Sequence, residues 1–268
     1  MQIFTERLAD FDLHRPASKR AYNRRLFQAV APRYGVITRL LSFGMDAFWK
    51  RALVARLPRR AWAGPPPAAR PPRRLPAASL PAAGAIPRAL DLACGTGDIS
   101  LLLARRFPAG RVEGLDLSPA MLARARRRRG AGRVSFLLGD LSRLPYPAES
   151  FHLVTGAYAL RNAPDLSRCL REVFRVLDSG GTAAFLDFNR SPVPWLGRLQ
   201  VWLLTVWGGL WGLLLHGNPE VYAYIAETLA LFPDRAGFEQ LLRELGFRRV
   251  HSRLPPGGFV SLTFAGKP

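Results

Sequence analysis

The stretch that decides the fold reads ALDLACGTGDIS and covers residues 89–100. The apolar run at 89–93 is typical of a buried strand, and a helical stretch begins at residue 97. Between them, Gly95 and Gly97 let the backbone turn sharply and approach a ligand where a side chain would clash. The helix that follows presents free backbone N–H groups at its first turn. The segment therefore predicts the first strand–loop–helix unit of a nucleotide-binding α/β domain.

The same alternation of strands and helices continues downstream. We predict strands at 89–93, 111–116, 133–138, 151–156 and 181–188, and helices at 97–106, 118–129 and 165–177. This alternation indicates parallel βαβ units and therefore an open, doubly wound sheet. The chain is then predicted to close with helices at 195–215, 219–229 and 235–245 and with strands at 247–252 and 258–265.

Three segments are predicted along the chain. They are a helical extension or lid at 1–57, a linker or insertion at 58–88, and the α/β domain at 89–268 with apolar lid helices at 195–229. In the first segment, large apolar residues recur at helical spacing from about residue 20 onward. Pro32 and Gly44 are expected to split that helical stretch into shorter pieces. The second segment is rich in proline, alanine and arginine, so we expect it to be poorly ordered.

The composition excludes several classes of protein. Hydrophobic residues make up 49% of the 268 residues, so the chain can bury a core and is neither disordered nor collagen-like. Two cysteines, Cys94 and Cys169, cannot form a disulfide framework, and no Cys/His cluster has zinc spacing. The first residues do not have the pattern of a signal peptide. We therefore expect a cytoplasmic protein without a metal.

The charge is strongly positive and unevenly placed. The formal net charge is +20, and the first 90 residues carry +13 of it. A basic region of this kind favours an anionic membrane surface or nucleic acid. We expect no nucleic acid, because no recognition helix or RNA-binding motif accompanies the charge. Codon bias in a GC-rich genome is an equally good explanation, since only three of the 39 basic residues are lysines.

Acidic residues after successive strands indicate the ligand. Asp116 ends the second predicted strand, 21 residues after Gly95, where a carboxylate accepts hydrogen bonds from ribose hydroxyls. Asp140 follows the third strand and is placed to accept from an adenine amino group. Ser100 stands where dinucleotide sites carry a third glycine, and Asp91 would repel a pyrophosphate. S-adenosylmethionine, which carries an amino acid and a cationic sulfonium, is therefore favoured over NAD.

On these motifs, residues 89–188 resemble the class I S-adenosylmethionine-dependent methyltransferases. A narrower resemblance, to the ubiquinone/menaquinone biosynthesis C-methyltransferases, rests on a set of short motifs. These are APRY at 31–34, LSFG at 41–44, WK at 49–50, LRN at 160–162, PD at 164–165, RVLDSGG at 175–181, PEVYAY at 219–224, FPD at 232–234, GG at 257–258 and GKP at 266–268. The resemblance implies a Rossmann-like α/β fold. It has a seven-stranded, mostly parallel sheet, an antiparallel last strand and a helical N-terminal extension.

The resemblance also implies methyl transfer to a ring carbon of a demethylated polyprenyl quinol, either a demethylmenaquinol or a ubiquinol precursor. The residues predicted to bind the cofactor S-adenosylmethionine are Asp91, Ala93, Gly95, Thr96, Gly97, Asp116, Leu117, Asp140 and Leu141. We expect the catalytic residues Arg161, Asn162 and Tyr34 to face the acceptor. Arg161 follows the strand at 151–156, at the edge where ligands bind, and is a candidate to stabilise the ring oxyanion. The alternatives are a surface ion pair for Arg161, a turn or cap for Asn162 and helix packing for Tyr34.

The sequence departs from the family pattern at two places near the expected acceptor. The family's Tyr-Asp-x-x-Asn reads YGVIT at 34–38, so both polar side chains are replaced. Its Phe-Gly before LRN reads YA at 158–159. The cofactor assignment is unaffected, but two alternatives stay open. One is an O-, N- or C-methyltransferase for another lipophilic small molecule, and the other is a non-catalytic scaffold of a membrane quinone-synthesis complex.

The segment LQVWLLTVWGGLWGLLL at 199–215 has 17 residues without a formal charge. A spanning helix needs about 20 apolar residues, so this segment lies at the lower limit. It is otherwise a buried helix or lid, or an interfacial helix lining a channel for a polyprenyl tail, since tryptophan favours the lipid–water interface. We expect a lipophilic quinol substrate and peripheral contact with the inner face of a membrane. That contact would use 195–215 and the basic N-terminal region, and a homodimer stays open.

Overall fold

The structure is a computed structural model, and it describes residues 7–58, 88–256 and 258–268. Almost all of the predicted linker at 58–88 lies outside these residues, as does Gly257 of the GG motif. The helices are α1 (Pro16–Val30), α2 (Tyr34–Leu41), α3 (Asp46–Ala55), α4 (Asp98–Arg106), α5 (Pro119–Arg126), α6 (Leu166–Val176), α7 (Pro194–His216), α8 (Glu220–Leu231) and α9 (Arg235–Glu244). The strands are β1 (Arg88–Leu92), β2 (Arg111–Asp116), β3 (Val134–Leu138), β4 (Phe151–Ala157), β5 (Leu177–Phe188), β6 (Arg248–Arg253) and β7 (Val260–Gly266).

The strands form one seven-stranded sheet in the order β3-β2-β1-β4-β5-β7-β6. The first five strands in this order pair in parallel, and β7 runs antiparallel to both β5 and β6. This confirms the predicted mostly parallel sheet with an antiparallel last strand. The strand order reverses between β1 and β4. Ligands of open α/β sheets bind at such a switch point, outside the carboxyl ends of the strands.

Helices cover both faces of the sheet and bury an apolar core on each side. On one face α3 and α4 pack on the sheet through residues such as Trp49 and Leu103. On the other face α6 and α9 pack through residues such as Leu170 and Leu242. Because helices cover both faces, β1 at the centre of the sheet is buried at every position after Arg88.

The N-terminal helices build a third apolar cluster above the carboxyl edge of the sheet. Tyr22 and Leu26 of α1 and Ile37 of α2 pack there with Met121 of α5 and with α8. The predicted breaks are confirmed. Pro32 lies in a short 3₁₀ turn between α1 and α2, and Gly44 precedes α3 with a φ of +81°. The helical extension therefore covers the ligand edge of the domain.

Most boundaries in the α/β domain differ from the sequence prediction by no more than two residues, and two differ by three or four. β5 begins at Leu177 rather than at residue 181, because Leu177 pairs with Phe151 ahead of a register shift in the ladder. α5 ends at Arg126 rather than at 129. Pairing of Leu177 with Phe151 in the sheet decides where β5 begins, whereas α5 ends in a turn after Arg126.

α7 is one helix of 23 residues that packs closely along α8. Its buried residues are Gly197, Gly208, Gly212 and His216. The last three face α8 or the turn before it, so glycines form most of that contact edge. A Cβ added at Gly208 would lie 2.8 Å from the backbone oxygen of Tyr222. The absence of side chains along this edge is what lets the two helices approach.

We expect opposite outcomes from alanine at the two adjacent glycines of α7. Gly208→Ala forces α7 away from α8 and lowers the free energy of unfolding by about 1–3 kcal/mol. At Gly209 the nearest atom is a side-chain carbon of Pro219, 3.7 Å from the added Cβ. Gly209→Ala is therefore expected to be neutral or to stabilise by up to about 1 kcal/mol. Urea unfolding of both variants checks the pair, and equal midpoints would contradict the close packing.

Candidate functional site

The loop after β1 is held in an unusual conformation. Ala93, Gly95 and Gly97 have φ angles of +46°, +54° and +84°. A left-handed alanine is strained by about 1–2 kcal/mol, which is a feature of ligand-binding loops. A Cβ at Gly97 would lie 3.2 Å from the Phe136 ring, so this glycine is needed for both space and conformation. α4 begins directly afterwards, as the sequence predicts.

Asp116 fastens this loop to the end of β2. Its carboxylate accepts hydrogen bonds from the backbone N–H of Gly95 at 2.7 Å and of Ser118 at 2.8 Å. Burial raises the pKa of Asp116, while these two backbone donors oppose the rise. The residue predicted to hold a ribose therefore also shapes the glycine loop.

Asp91 lies inside the sheet with both carboxylate oxygens bound. Ser100 donates to one oxygen at 2.6 Å and Thr155 to the other at 3.0 Å. Burial raises the pKa of Asp91 to about 7, and these two hydroxyl donors oppose the rise. With Thr96, Asp91 lines a small cleft of about 300 Å³ beside the glycine loop. An ionised carboxylate at that position favours a nearby cationic group.

A larger cleft of about 680 Å³ opens at the carboxyl ends of β1, β2 and β4. It brings together six of the nine residues predicted to bind the cofactor: Ala93, Gly95, Asp116, Leu117, Asp140 and Leu141. We call this space the donor cleft. Asp91 and Thr96 line the adjoining small cleft, while Gly97 lines neither space and instead packs at the start of α4.

α1 closes the donor cleft from above, which the sequence analysis missed. Arg20, Asn23 and Phe27 of α1 line the cleft. The Arg20 Nε lies 2.9 Å from the carboxylate of Asp140, the residue predicted to meet the adenine. The spacing of three and four residues on one helix face was the available signal, but it did not say what that face covers.

A second cavity of about 650 Å³ lies between the N-terminal helices and α8, and we call it the acceptor cavity. Its walls are mostly apolar and aromatic, with polar side chains at a few positions. The lining residues are Leu26, Phe27, Val30, Tyr34, Ile37, Thr38, Leu41, Ser42, Asp46, Tyr158, Arg161, Asn162, Phe188, Val221, Tyr222, Tyr224 and Ile225. Phe27, Tyr34, Tyr158 and Asn162 also line the donor cleft. The two spaces therefore share a wall.

Tyr34 and Tyr158 occupy the junction of the two spaces. Tyr34 begins α2, and burial raises the pKa of its hydroxyl to about 12. Tyr158 follows β4 with a φ of +56°, the counterpart of strained Ala93 after the neighbouring strand. Both tyrosines also line the small cleft beside Asp91. All three spaces thus meet at this pair of rings.

Arg161 is buried, so its interpretation as a surface ion pair is wrong. The residue is 5% exposed, and its Nε lies 3.3 Å from the Asp187 carboxylate. A guanidinium N–H also donates to the hydroxyl of Thr228 in α8. Burial raises the pKa of Asp187 against the opposing effect of Arg161. The guanidinium is a fixed, desolvated positive charge in the wall of the acceptor cavity.

Asn162 makes a turn contact and also lies between the two spaces. Its side-chain N–H donates to the carbonyl of Tyr158 at 2.8 Å, which is the expected turn contact. Its side-chain oxygen is buried and accepts no hydrogen bond within the described part of the chain. Asn23 of α1 donates to its backbone carbonyl at 2.7 Å. Asn162 is thereby held in place with one acceptor atom unused.

A buried ion network joins the N-terminal helices to the glycine loop, and it was not expected from the sequence. The Lys50 Nζ lies 2.7 Å from carboxylate oxygens of both Asp46 and Asp98. Burial alone would lower the pKa of the Lys50 ammonium, but the two carboxylates raise it above its usual range. Asp98 also pairs with Arg128 of the loop after α5. The i,i+4 spacing of Asp46 and Lys50 was the one local signal.

The site defines a class of enzyme. A switch-point cleft with a carboxylate after β2 and another after β3 fits an adenosine, and the Asp91 cleft fits a cationic amino-acid end. A separate apolar cavity meets that cleft, as transfer between two ligands requires. These are the features of a class I methyltransferase, whose methyl donor is S-adenosylmethionine.

Comparison with known proteins gives the family. A model of the ubiE/COQ5 methyltransferase family matches residues 16–267, and the chain belongs to that family. It is 36% identical to the ubiquinone/menaquinone biosynthesis C-methyltransferase UbiE of Methylobacterium nodulans, over 88% of this chain and 87% of that protein. It is also 36% identical to the demethylmenaquinone methyltransferase of Thermus thermophilus, over 91% of this chain and 100% of that protein.

A solved structure supports the fold independently. The chain aligns with a SAM-dependent methyltransferase from Thermotoga maritima with a TM-score of 0.60. The alignment covers 91% of this chain and 99% of that one at 18% sequence identity. At this identity the likeness establishes the architecture alone.

Asp116→Asn is expected to weaken S-adenosylhomocysteine binding by more than about tenfold, since hydrogen bonds to charged groups contribute about 1.5–3 kcal/mol. The amide removes the charged acceptor for ribose and sets an N–H group against a backbone N–H. Isothermal titration calorimetry measures the change. Glu239→Gln, which removes the partner of Arg243 on the exposed side of α9, is the control. Unchanged affinity in Asp116→Asn would contradict the assignment of this carboxylate.

Proposed function

We propose that the protein transfers a methyl group from S-adenosylmethionine to a ring carbon of a demethylated polyprenyl quinol. The observation that carries this proposal is the largely apolar acceptor cavity, which shares Tyr34, Tyr158 and Asn162 with the donor cleft. An aromatic ring with a hydrocarbon tail matches walls of this composition. The names of the relatives, UbiE and demethylmenaquinone methyltransferase, support the same acceptor class.

The residues suit this chemistry. When bound, S-adenosylmethionine supplies an electrophilic methyl group. Asp116 and Asp140 hold the nucleoside, and the tyrosine pair orients the acceptor ring toward the donor cleft. A quinol carbon becomes nucleophilic as a ring hydroxyl loses its proton. The buried guanidinium of Arg161 stabilises the oxyanion that develops, and the low dielectric of the cavity strengthens that interaction.

This sequence departs from the family pattern at positions 35 and 38, and only one of the two positions lines the acceptor cavity. Gly35 does not line the acceptor cavity, whereas Thr38 does. The Thr38 hydroxyl donates to the carbonyl of Tyr34 at 3.0 Å. Of the two replacements, the threonine at position 38 is therefore the one that lies in the cavity wall.

A methyl-transfer assay tests the function. The protein and S-adenosylmethionine are mixed in detergent with reduced, demethylated naphthoquinols and benzoquinols, and the products are analysed by mass spectrometry. We expect one added methyl group on a ring carbon of at least one quinol. Confirmed cofactor binding without a methylated quinol would overturn the quinol assignment in favour of another lipophilic acceptor. Absence of both would favour a non-catalytic scaffold.

We further propose that the protein contacts a membrane peripherally through α7. In the described part of the chain, α7 is the one helix long and apolar enough to cross a membrane, and 17% of its most apolar window is buried. Its glycine edge packs on α8, while Trp202, Leu203, Val206 and Leu210 remain exposed. Because one edge is held by the domain, an interfacial position suits α7 better than a spanning one.

Basic residues near α7 support contact with anionic lipid. Phe43, before α3, is 75% exposed, and its ring stacks on that of Trp207 in α7 with 5.2 Å between the ring centroids. Beyond it a groove of about 1540 Å³ is lined by arginines from four elements and the loop after α5: Arg39, Arg51, Arg105, Arg124, Arg127 and Arg128. Each arginine near an anionic surface adds about 1 kcal/mol of attraction. The positive charge thus lies beside the apolar face and extends beyond the N-terminal region to α4 and α5.

Binding to lipid vesicles tests this surface. The protein is expected to co-sediment with vesicles of phosphatidylglycerol and phosphatidylcholine, and less so at high salt. The double variant Leu203→Ser/Leu210→Ser is expected to reduce binding at least about tenfold, since each buried leucine contributes about 1.5–3 kcal/mol. Leu137→Ser, on the edge strand β3, is the control. Absence of vesicle binding, or a dimer by light scattering that the double variant dissociates, would overturn the proposal.

A further inference from the structure

Asp46 has one carboxylate oxygen that the protein leaves without a hydrogen bond. The residue begins α3 and is 8% exposed. Its Oδ2 is held by the Lys50 Nζ at 2.7 Å. Its Oδ1 is buried and accepts no hydrogen bond from any described residue. Asp46 lines the acceptor cavity, and among the described lining residues it is the one that carries a carboxylate.

A buried acceptor without a donor is destabilising, so a donor is expected to reach it in the working state. The donors on neighbouring described residues leave this oxygen without a hydrogen bond. The ammonium of Lys50 is shared between Oδ2 and Asp98. The Tyr158 hydroxyl does interact with the Asp46 side chain, since burial together with the charge and hydrogen bonding of Asp46 raises its pKa well above the usual value, but Oδ1 itself has no hydrogen-bond partner among the described residues. A ligand in the acceptor cavity, which Asp46 lines, can supply that donor.

We propose that the Asp46 carboxylate accepts a hydrogen bond from a ring hydroxyl of the acceptor and thereby selects the reduced ring. This inference rests on the proposed function. A quinol presents O–H donors, whereas the corresponding quinone presents carbonyl oxygens only. A carbonyl oxygen against a carboxylate oxygen pairs two acceptors and is repulsive. Sites built to bind a hydroxyl group strongly reject the analogue that lacks it.

The described residues of the cavity wall include one positive and one negative side chain, which suits two ring oxygens with different roles in the reaction. Arg161, in the turn after β4, is the positive group and suits the oxygen that becomes an oxyanion. Asp46, on α3, is the negative group and suits the oxygen that keeps its proton. Asp46 would then orient the ring and determine its redox state, while Arg161 stabilises the charge that develops during transfer.

Lys50 makes the test selective. Because its ammonium only donates, Asp46→Asn must turn the amide oxygen toward Lys50 and the NH₂ group to the place of Oδ1. A donor then replaces an acceptor with almost no change in shape. The quinol should lose affinity, and the quinone should keep or gain it.

The experiment measures the affinity of a short-chain demethylated naphthoquinone in both oxidation states. Binding is followed anaerobically by tryptophan fluorescence on protein saturated with S-adenosylhomocysteine, which cannot donate a methyl group. We expect the wild type to bind the quinol at least about tenfold more tightly than the quinone, because the quinone lacks one hydrogen bond to a charged group. Asp46→Asn is expected to abolish or reverse that preference. Glu239→Gln, which removes the partner of Arg243 on α9, is the control and is expected to keep the preference.

Several outcomes would overturn the assignment. Equal affinity of the wild type for quinol and quinone would do so without any variant. A wild-type preference retained in Asp46→Asn, with unchanged S-adenosylhomocysteine binding, would show that Asp46 serves only as the ion-pair partner of Lys50. Failure of the wild type to bind either ring form would overturn the proposed function together with this inference.

Discussion

The buried ammonium group of Lys50 is the contact on which the arrangement of the site depends. It bridges Asp46, at the start of α3, and Asp98, the first residue of α4 after the glycine loop. Removing one partner from a buried ion pair costs about 3–5 kcal/mol, because the remaining charge stays desolvated. The network therefore fixes the N-terminal helices over the loop after β1. As a result, Tyr34 reaches the edge of the donor cleft and Asp46 reaches the wall of the acceptor cavity.

The molecule divides its work between the sheet and the helical cover. The carboxyl ends of the strands supply the donor cleft, with Asp116 tied to the glycine loop. The N-terminal helices and α8 supply most of the acceptor cavity. α1 belongs to both parts, since Arg20 pairs with Asp140 and Lys19 donates to the Arg161 carbonyl at 3.0 Å. Burial and the neighbouring Arg161 lower the pKa of Lys19 to about 8. α1 therefore places an ammonium group that loses its proton more readily than an ordinary lysine beside the wall of the acceptor cavity.

Features set by neighbouring residues were predictable from the sequence, and features set by distant contacts were not. The strands, the glycine loop and the carboxylates after β2 and β3 follow from local patterns, and the family resemblance supplied the strand count. The contribution of α1 to the donor cleft and the Asp46–Lys50–Asp98 network depend on tertiary packing. Arg161 was placed at the correct edge, but its burial depends on Asp187, 26 residues later. The composition of α7 was compatible with a spanning, a buried or an interfacial helix. Only packing shows that glycines form its contact edge.

We infer that the methyl donor and the acceptor meet at Tyr34 and Tyr158, which line both spaces. A crystal structure with S-adenosylhomocysteine and a short-chain demethylated naphthoquinol tests it most directly. We expect the sulfur atom of S-adenosylhomocysteine to lie beside these two rings. The quinol is expected to occupy the acceptor cavity with its unmethylated carbon facing that sulfur. A quinol bound elsewhere, or a protein wall between sulfur and ring, would contradict it.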